Sequence, residues 1–350
     1  MKNIYMVKTF YPHWGKHTAF NAFLPCFDAR RFAITMVNVP MGGGKRLFSL
    51  LKYFSSRLRR AGTMSPYGAH DLRAEIAAFY RSAFNTIDVI HLLDAEHSLL
   101  FLPSWFKKIS HRKAWPKIIA TFHQPPSLLA GMIDMETVSQ VDTVLVISPA
   151  QAEFFSNYLP EEKIATILLG VDTEHFIPAP HKKGGDRFRC LSGGVWLRDY
   201  DAVYRTAELL KDQPHIEFHI VAPRDASRAA LPNIFYHEGI TDAELLRLYQ
   251  ISDVLFLPLR DATANTFLLE GCACGLPVIS TDLPSVRFYF PGEEAVLVQD
   301  NQPPVFARII DDMSRNPAAV AARSRKARER AEMLSWRRMV KQYERLYEEL

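Results

Sequence analysis

The 350-residue sequence lacks what several protein classes require. It has no apolar run approaching the ~18 residues that a membrane-crossing helix needs. Its opening, Met1-Lys-Asn-Ile-Tyr-Met-Val-Lys8, holds too short an apolar stretch for a secretory leader and reads as a first strand, so export is not expected. Cysteine is scarce. Cys26, Cys190, Cys272 and Cys274 match neither a disulfide framework nor a metal-ligand spacing, and they read as small packing residues in a reducing cytoplasm with no metal site assigned.

What is present is the composition of a soluble globular chain, 48% apolar and 23% charged, at a length that suits two domains better than one. The net charge of +4 is unevenly spread. Residues 1–170 hold 19 Lys and Arg against 12 Asp and Glu, a balance of +7, which leaves −3 for residues 171–350. The first half is therefore the better surface for an acidic partner. Acids are absent from Lys45 to Arg60, where Lys45, Arg46, Lys52, Arg57, Arg59 and Arg60 accompany Leu47, Leu50, Leu51, Phe54 and Leu58 on one helical face. Two readings fit this basic amphipathic helix: it lies on an anionic membrane surface at the inner face of the membrane, or it packs on the first sheet with its charges in water. A second basic, aromatic stretch runs from Trp105 to Lys117. Met41-Gly-Gly-Gly-Lys-Arg46 is not a P-loop, because Val39 stands where a glycine is needed and Arg46 where Ser or Thr is needed. Nucleic acid is an unlikely partner, since no recognition module accompanies the basic half.

Strand and helix patterns alternate along the whole chain. Strands are expected at Asn3–Lys8, Phe32–Val39, Ile87–Leu92, Lys117–Phe122 and Val141–Ile147. A second series begins at Phe188 and continues at Ile216–Val221, Ile234–Tyr236 and Val254–Leu257. Between the two lies a Pro-, Gly- and Lys-rich stretch, 179–187, the best linker in the chain. Ser148 with Pro149 starts one helix; Asn265 or Thr266 starts another that ends at Gly275 before Pro277. The turn from Thr263 to Phe267 is a natural seat for phosphate, because a helix N-terminus offers free backbone N–H groups and partial positive charge. Glu270 lies about one turn deeper, where a carboxylate can accept hydrogen bonds from sugar hydroxyls. An ordinary strand–helix–strand crossover would carry the same glycine and proline as punctuation.

The stretch Asp253–Thr281 resembles the donor-binding motif of the retaining glycosyltransferases of family 4, which have the GT-B fold. The family pattern is Glu-x7-Glu followed by Ala-x-Gly-x-Pro-Val-(Val/Ile). Glu270, Gly275, Leu276, Pro277, Val278 and Ile279 match its second half, whereas Ala262 replaces the first Glu, with Asp261 beside it. Gly170-Val-Asp-Thr-x-x-Phe176 resembles the segment that closes the family's first domain, with Leu169 where Asn or His is usual. At Gly193-Gly194 the family bears a diphosphate-gripping Arg and, further on, a Lys; Gly194 and Asp199 replace them here, and Arg198 is the nearby cation.

The resemblance implies an α/β architecture of two Rossmann-like domains facing a cleft: residues 1–178 for the acceptor, 188–334 for the donor, and a terminal helix, 335–350, returning to the first domain. It implies transfer of a sugar from a nucleoside diphosphate sugar to a hydroxyl of a glycan or lipid-linked acceptor, without a cofactor. The donor residues it implies are Gly15, Lys16, Gly193, Arg198, Asn265, Thr266, Phe267 and Glu270. His123, in the place of the family's Thr-x-His loop, and Asp261 are the implied catalytic pair. His17, Asp94 and His97 are assigned to the acceptor. Two alternatives stand beside this reading: a sugar-nucleotide-binding protein or partner subunit without transferase activity, and a nucleic-acid-modifying transferase of the same fold. A pyridoxal-dependent phosphorylase is disfavoured, because no Lys lies between Lys211 and Lys326 to carry the cofactor.

Overall fold

A computed structural model describes residues 1–12, 14–41, 67–109, 115–180 and 186–350. The basic 45–60 segment lies outside the described residues, as do 110–114 of the second basic stretch and 181–185 of the expected linker. The chain forms two compact units. One contains Met1–Trp14, Leu24–Leu168 and Met339–Leu350; the other contains Gly15–Phe23 and Leu169–Arg338.

In the first unit six parallel strands form one sheet: β1 (Lys2–Phe10), β2 (Phe32–Pro40), β3 (Val89–Leu92), β4 (Lys117–Phe122), β5 (Thr143–Val146) and β6 (Ile164–Thr166). Their order is β2-β1-β3-β4-β5-β6. The central strands are short apolar runs because helices cover both faces of a parallel sheet. All four residues of β3 and of β5 are buried accordingly. Ile90, Ile118, Phe122, Val144 and Phe155 belong to one core. Ser148 caps the Pro149–Ser156 helix by accepting from the Gln151 backbone N–H, as its sequence predicts.

The second unit repeats the scheme with β7 (Phe188–Gly193), β8 (Ile216–Val221), β9 (Ile234–Tyr236), β10 (Val254–Leu257), β11 (Val278–Thr281) and β12 (Ala295–Val298). The order β12-β11-β10-β7-β8-β9 is that of the Rossmann sheet. β12 was not expected, because its four residues are too short an apolar run to signal a strand by themselves.

An aspartate just ahead of a strand recurs as a clamp in both sheets. Asp88 accepts from the Asn3 backbone N–H at 2.7 Å, Asp142 from Ile118 at 2.9 Å and Asp253 from Arg189 at 2.8 Å. Each carboxylate thereby satisfies a donor at the start of the neighbouring strand and fixes its register.

The boundary between units falls at Leu169, ahead of the expected 178/188 division. Val171 explains the difference, for its backbone N–H donates to Leu334 O and its carbonyl accepts from Trp336 N–H, both at 3.0 Å. Residues 169–178 are thus held by the end of the second unit. The last helix spans Trp336–Glu349, and its residues from Met339 onward group with the first unit. No described helix is long and apolar enough to cross a membrane.

Candidate functional site

In an open parallel sheet, ligands gather beyond the C-terminal ends of the strands where the strand order reverses. In the second unit that point lies between β7 and β10. β7 ends at Gly193, where a Cβ would stand 2.1 Å from the Phe267 ring, so only glycine lets the strand end approach the Thr266–Ala273 helix this closely. Gly194 follows with φ 78° and Leu197 with φ 57°, turning the chain back on itself. Arg198 stands at the close of this turn. Its Nε donates to Gly193 O at 3.0 Å, its Nη1 to Trp196 O at 2.8 Å and its Nη2 to Asn265 Oδ1 at 3.5 Å. Burial lowers its pKa to about 10, which leaves it a cation at neutral pH.

Asn265 caps the helix by accepting from the Leu268 N–H at 3.2 Å. Glu270, one turn in, is 4% exposed. The Tyr249 hydroxyl donates to its Oε2 at 3.0 Å. Its Oε1 has no hydrogen-bond partner, although the Thr18 side chain stands beside it and helps to stabilise the anion. Burial pushes the carboxyl up to about 7, against the pull of Thr18 and Tyr249. Gly15 abuts Asp242, which a Cβ would meet at 2.1 Å, while Lys16 is exposed. His17 Nδ1 lies 2.7 Å from Asp172 Oδ2, and its ring stacks on His175 at 3.6 Å between centroids. Burial, then the neighbouring His17, lowers the His175 pKa. His17 thus sits within the second unit, among the residues assigned to the donor. Asp261 turns back to accept from the Ala262 N–H at 2.8 Å.

In the first unit the strand order reverses between β1 and β3. Asp94, just beyond β3, is buried and accepts from the Thr9 N–H at 2.8 Å. The buried Lys8 has its pKa lowered by desolvation, against the attraction of Asp94. Tyr11 Oη lies 3.4 Å from His97 Nε2. His123, at the end of β4, donates its backbone N–H to Glu96 at 3.1 Å and places Nε2 2.6 Å from Leu93 O, which accepts from it. Burial pushes the Glu96 carboxyl up to about 7. Such a knot of perturbed titratable groups at strand ends marks a functional candidate. His91, by contrast, is buried between Tyr347 and Thr121 at 2.7 Å each and held neutral, with its pKa down to about 3.

Sequence reasoning singled out neither Glu96, Lys8, Tyr11 nor Tyr249. Glu96 lies between two residues that were chosen, Asp94 and His97, and its position at the end of a strand was the available signal. Among the described residues no group of three His, Cys, Asp or Glu side chains could hold a metal ion.

The raised Glu270 pKa makes stability depend on pH. Between its unfolded value of 4.5 and about 7 the folded chain binds more protons than the unfolded one, so stability falls as pH rises through that window. A Glu270→Gln variant, free of this penalty, is expected to match the parent near pH 5 and exceed it by roughly 1–3 kcal/mol at pH 8. Urea unfolding at the two pH values checks this, and an equal gain at both would refute the cause.

Comparison with known proteins gives the following likenesses. Residues 193–316 match the family model described as Glycosyl transferases group 1. The D-inositol 3-phosphate glycosyltransferase of Streptomyces avermitilis is 23% identical over 245 residues, covering 61% of this chain and 52% of that one. Its counterpart in Saccharomonospora viridis is 28% identical over 325 residues, covering 79% and 75%. The chain thus spans about half the length of the first relative and three quarters of the second. Anabaena Alr3699/HepE, solved in complex with UDP and glucose, superposes with a TM-score of 0.68 over 99% of both chains at 11% identity. At that identity the likeness is one of fold, and the fold is the two-unit α/β type of GT-B glycosyltransferases.

Proposed function

We propose that this chain is a glycosyltransferase of family 4, transferring a sugar from a nucleoside diphosphate sugar to a hydroxyl of a glycan or lipid-linked acceptor with retention of anomeric configuration. The observation that carries the reading is Glu270: a buried carboxyl one turn inside a helix N-terminus, with one oxygen unpartnered and the Arg198 guanidinium at the facing turn beside Asn265. A ribose supplies the hydroxyl donors this oxygen lacks, and the helix end suits a diphosphate. The family match over residues 193–316 takes in all of these donor-side residues except the 15–18 loop.

In the proposed reaction the bond from the sugar's anomeric carbon to the β-phosphate oxygen breaks, and a bond from that carbon to the acceptor oxygen forms. The acceptor proton passes to the departing diphosphate, whose charge the Asn265–Phe267 helix end, Arg198 and Lys16 stabilise. His123, Asp94 and His97 are assigned to the acceptor side, Asp261 to the transferred sugar, and no metal or cofactor is assigned.

A second reading, a nucleotide-sugar-binding protein that does not transfer, is favoured by Asp199. Standing where the family has Lys, it caps the Tyr200–Leu209 helix through Ala202 N–H and accepts from Asn301 at 2.9 Å, so it offers no cation to a phosphate.

Thermal shift against UDP, GDP, ADP, TDP and CMP tests the site. One responder at a hundredfold its dissociation constant is expected to add about 2.7 kcal/mol, and Glu270→Ala to remove that gain. No response from any of the five, either in this protein or in variants that loosen the 15–18 loop, would sink the nucleotide site. Release of free nucleotide from the matching sugar donor then separates transfer from binding alone.

A further inference from the structure

We infer that Gly15–Phe23 is a strap closing the nucleotide's ribose site, and that it has to leave Glu270 before the ligand can enter. The inference rests on the proposed nucleotide-binding role of Glu270 and adds its regulation.

The space beside Glu270 is the first ground. It is too narrow to admit a water molecule and is walled by His17 and Ala19 of the strap together with Gly170, Val171, Thr266 and Leu269. Sites for ligands of nucleotide size run to roughly 300 Å³ or more. The gap is thus too small for the ligand that its carboxylate suits. Glu270 Oε1 is nonetheless dehydrated there without a partner, an arrangement that is costly unless something else supplies the missing donors. The strap supplies burial and the single Thr18 hydroxyl beside the carboxyl, whereas a ribose would bring two hydroxyls.

The second ground is how the strap is held. One end is apolar, with Phe20 and Phe23 each placing a ring centroid 5.3 Å from the Trp336 ring inside the core of the unit. The other end is polar and part-exposed: His17 pairs with Asp172 and stacks on His175. Asn21 Nδ2 donates to Gly15 O at 2.7 Å and keeps the segment folded on itself. Between latch and pivot sits Ala19 with φ 47°, a left-handed conformation that a non-glycine residue holds under strain. A firm pivot, a solvent-accessible polar latch and a strained link between them describe a segment that can swing as a piece about Phe20–Phe23.

A site that is competent only part of the time binds more weakly by the fraction of time it is open. Loosening the latch should therefore tighten nucleotide binding. His17→Ala and Asp172→Asn each remove the pair; Asp172→Asn keeps a side-chain oxygen for the Glu174 and His175 backbone N–H groups that Asp172 now serves. The test measures, by calorimetry, the dissociation constants of UDP, GDP, ADP and TDP for the intact chain and both variants. Amide exchange of residues 16–23 is followed with and without saturating nucleotide. The expected result is a dissociation constant lowered roughly fivefold in both variants and faster exchange in 16–23 when nucleotide is bound to the parent protein. Binding seen in the variants alone also supports the strap. Unchanged or weaker affinity in both variants, or exchange that slows or stays the same, would show a fixed wall and overturn it. Absence of binding in all three proteins would instead sink the nucleotide-binding reading beneath it.

Discussion

Arg328→Ala is expected to destabilise the protein by roughly 1.5–3 kcal/mol, the cost of losing the charged hydrogen bonds that a part-buried guanidinium makes to the backbone. The guanidinium, on the Pro317–Met333 helix, is a node in the second unit. Its Nη1 donates to Phe176 O at 2.7 Å and to Ala273 O at 2.5 Å, its Nη2 donates to Thr173 O at 2.9 Å, and Glu332 neutralises it. Ala273 is the last residue of the helix that begins at the candidate phosphate seat, so its carbonyl has no partner of its own within that helix. Thr173 and Phe176 belong to the segment that leads to Pro178, which packs near Gly275. Removing the side chain strands three carbonyls at once. Hydrogen bonds to a charged group contribute roughly 1.5–3 kcal/mol each, and sharing one cation makes them less than additive. Lys at this position keeps the charge but loses the planar fork, so Arg328→Lys should recover only part of the loss. Urea unfolding of the three proteins decides the matter, and a loss for Arg328→Ala below about 1 kcal/mol would mean that the network is idle.

Gly193→Ala is expected to cost about 2–3 kcal/mol and, if the proposed nucleotide site holds, to weaken binding there with it. The added methyl would lie 2.1 Å from Phe267 Cε2 and 2.4 Å from Cζ, distances at which one partner must move. Phe267 cannot yield freely, being buried and packed at 5.1 Å from the Tyr249 ring, whose hydroxyl holds Glu270. The disturbance therefore runs from the end of β7 through Phe267 and Tyr249 to the carboxyl. Combining Gly193→Ala with Phe267→Leu should cost less than the two single changes summed, by at least about 1 kcal/mol. Strict additivity would mean that the contact does not carry the effect.

Particular residues show what was legible in the sequence. The two parallel sheets were, because Val254–Leu257, Lys117–Phe122 and their counterparts are short apolar runs separated by helix signals, a pattern with few other solutions. Helix starts were legible where a side chain does the capping, as at Ser148 and Asn265. Gly275 could be read as a stop, and it adopts φ 80°. Burial and partnership could not be read, since they depend on residues far apart in the chain. Tyr249 meets Glu270 across 21 positions and Arg328 meets Thr173 across 155. The Gly15–Phe23 segment follows β1 in sequence yet belongs to the second unit, a placement that no local pattern encodes. The boundary at Leu169 was hidden for the same reason: Val171 pairs with Ser335 and its neighbours, whereas the linker-like composition lies further on.

The aspartate clamps bear on how this chain finds its fold in time. Asp88 serves a donor 85 positions away, Asp253 one 64 away and Asp142 one only 24 away. Closing a chain loop costs entropy that grows with the logarithm of its length, so the β4–β5 clamp can form early at little expense. The other two wait for distant strands to meet. A slip of two residues would keep every side chain on its proper face, and hydrophobic patterning alone would tolerate it. It would also move each carboxylate past its N–H partner. The two long-range clamps, Asp88 and Asp253, thus act as late proofreaders of alignment, rejecting misregistered sheets that the apolar core would accept.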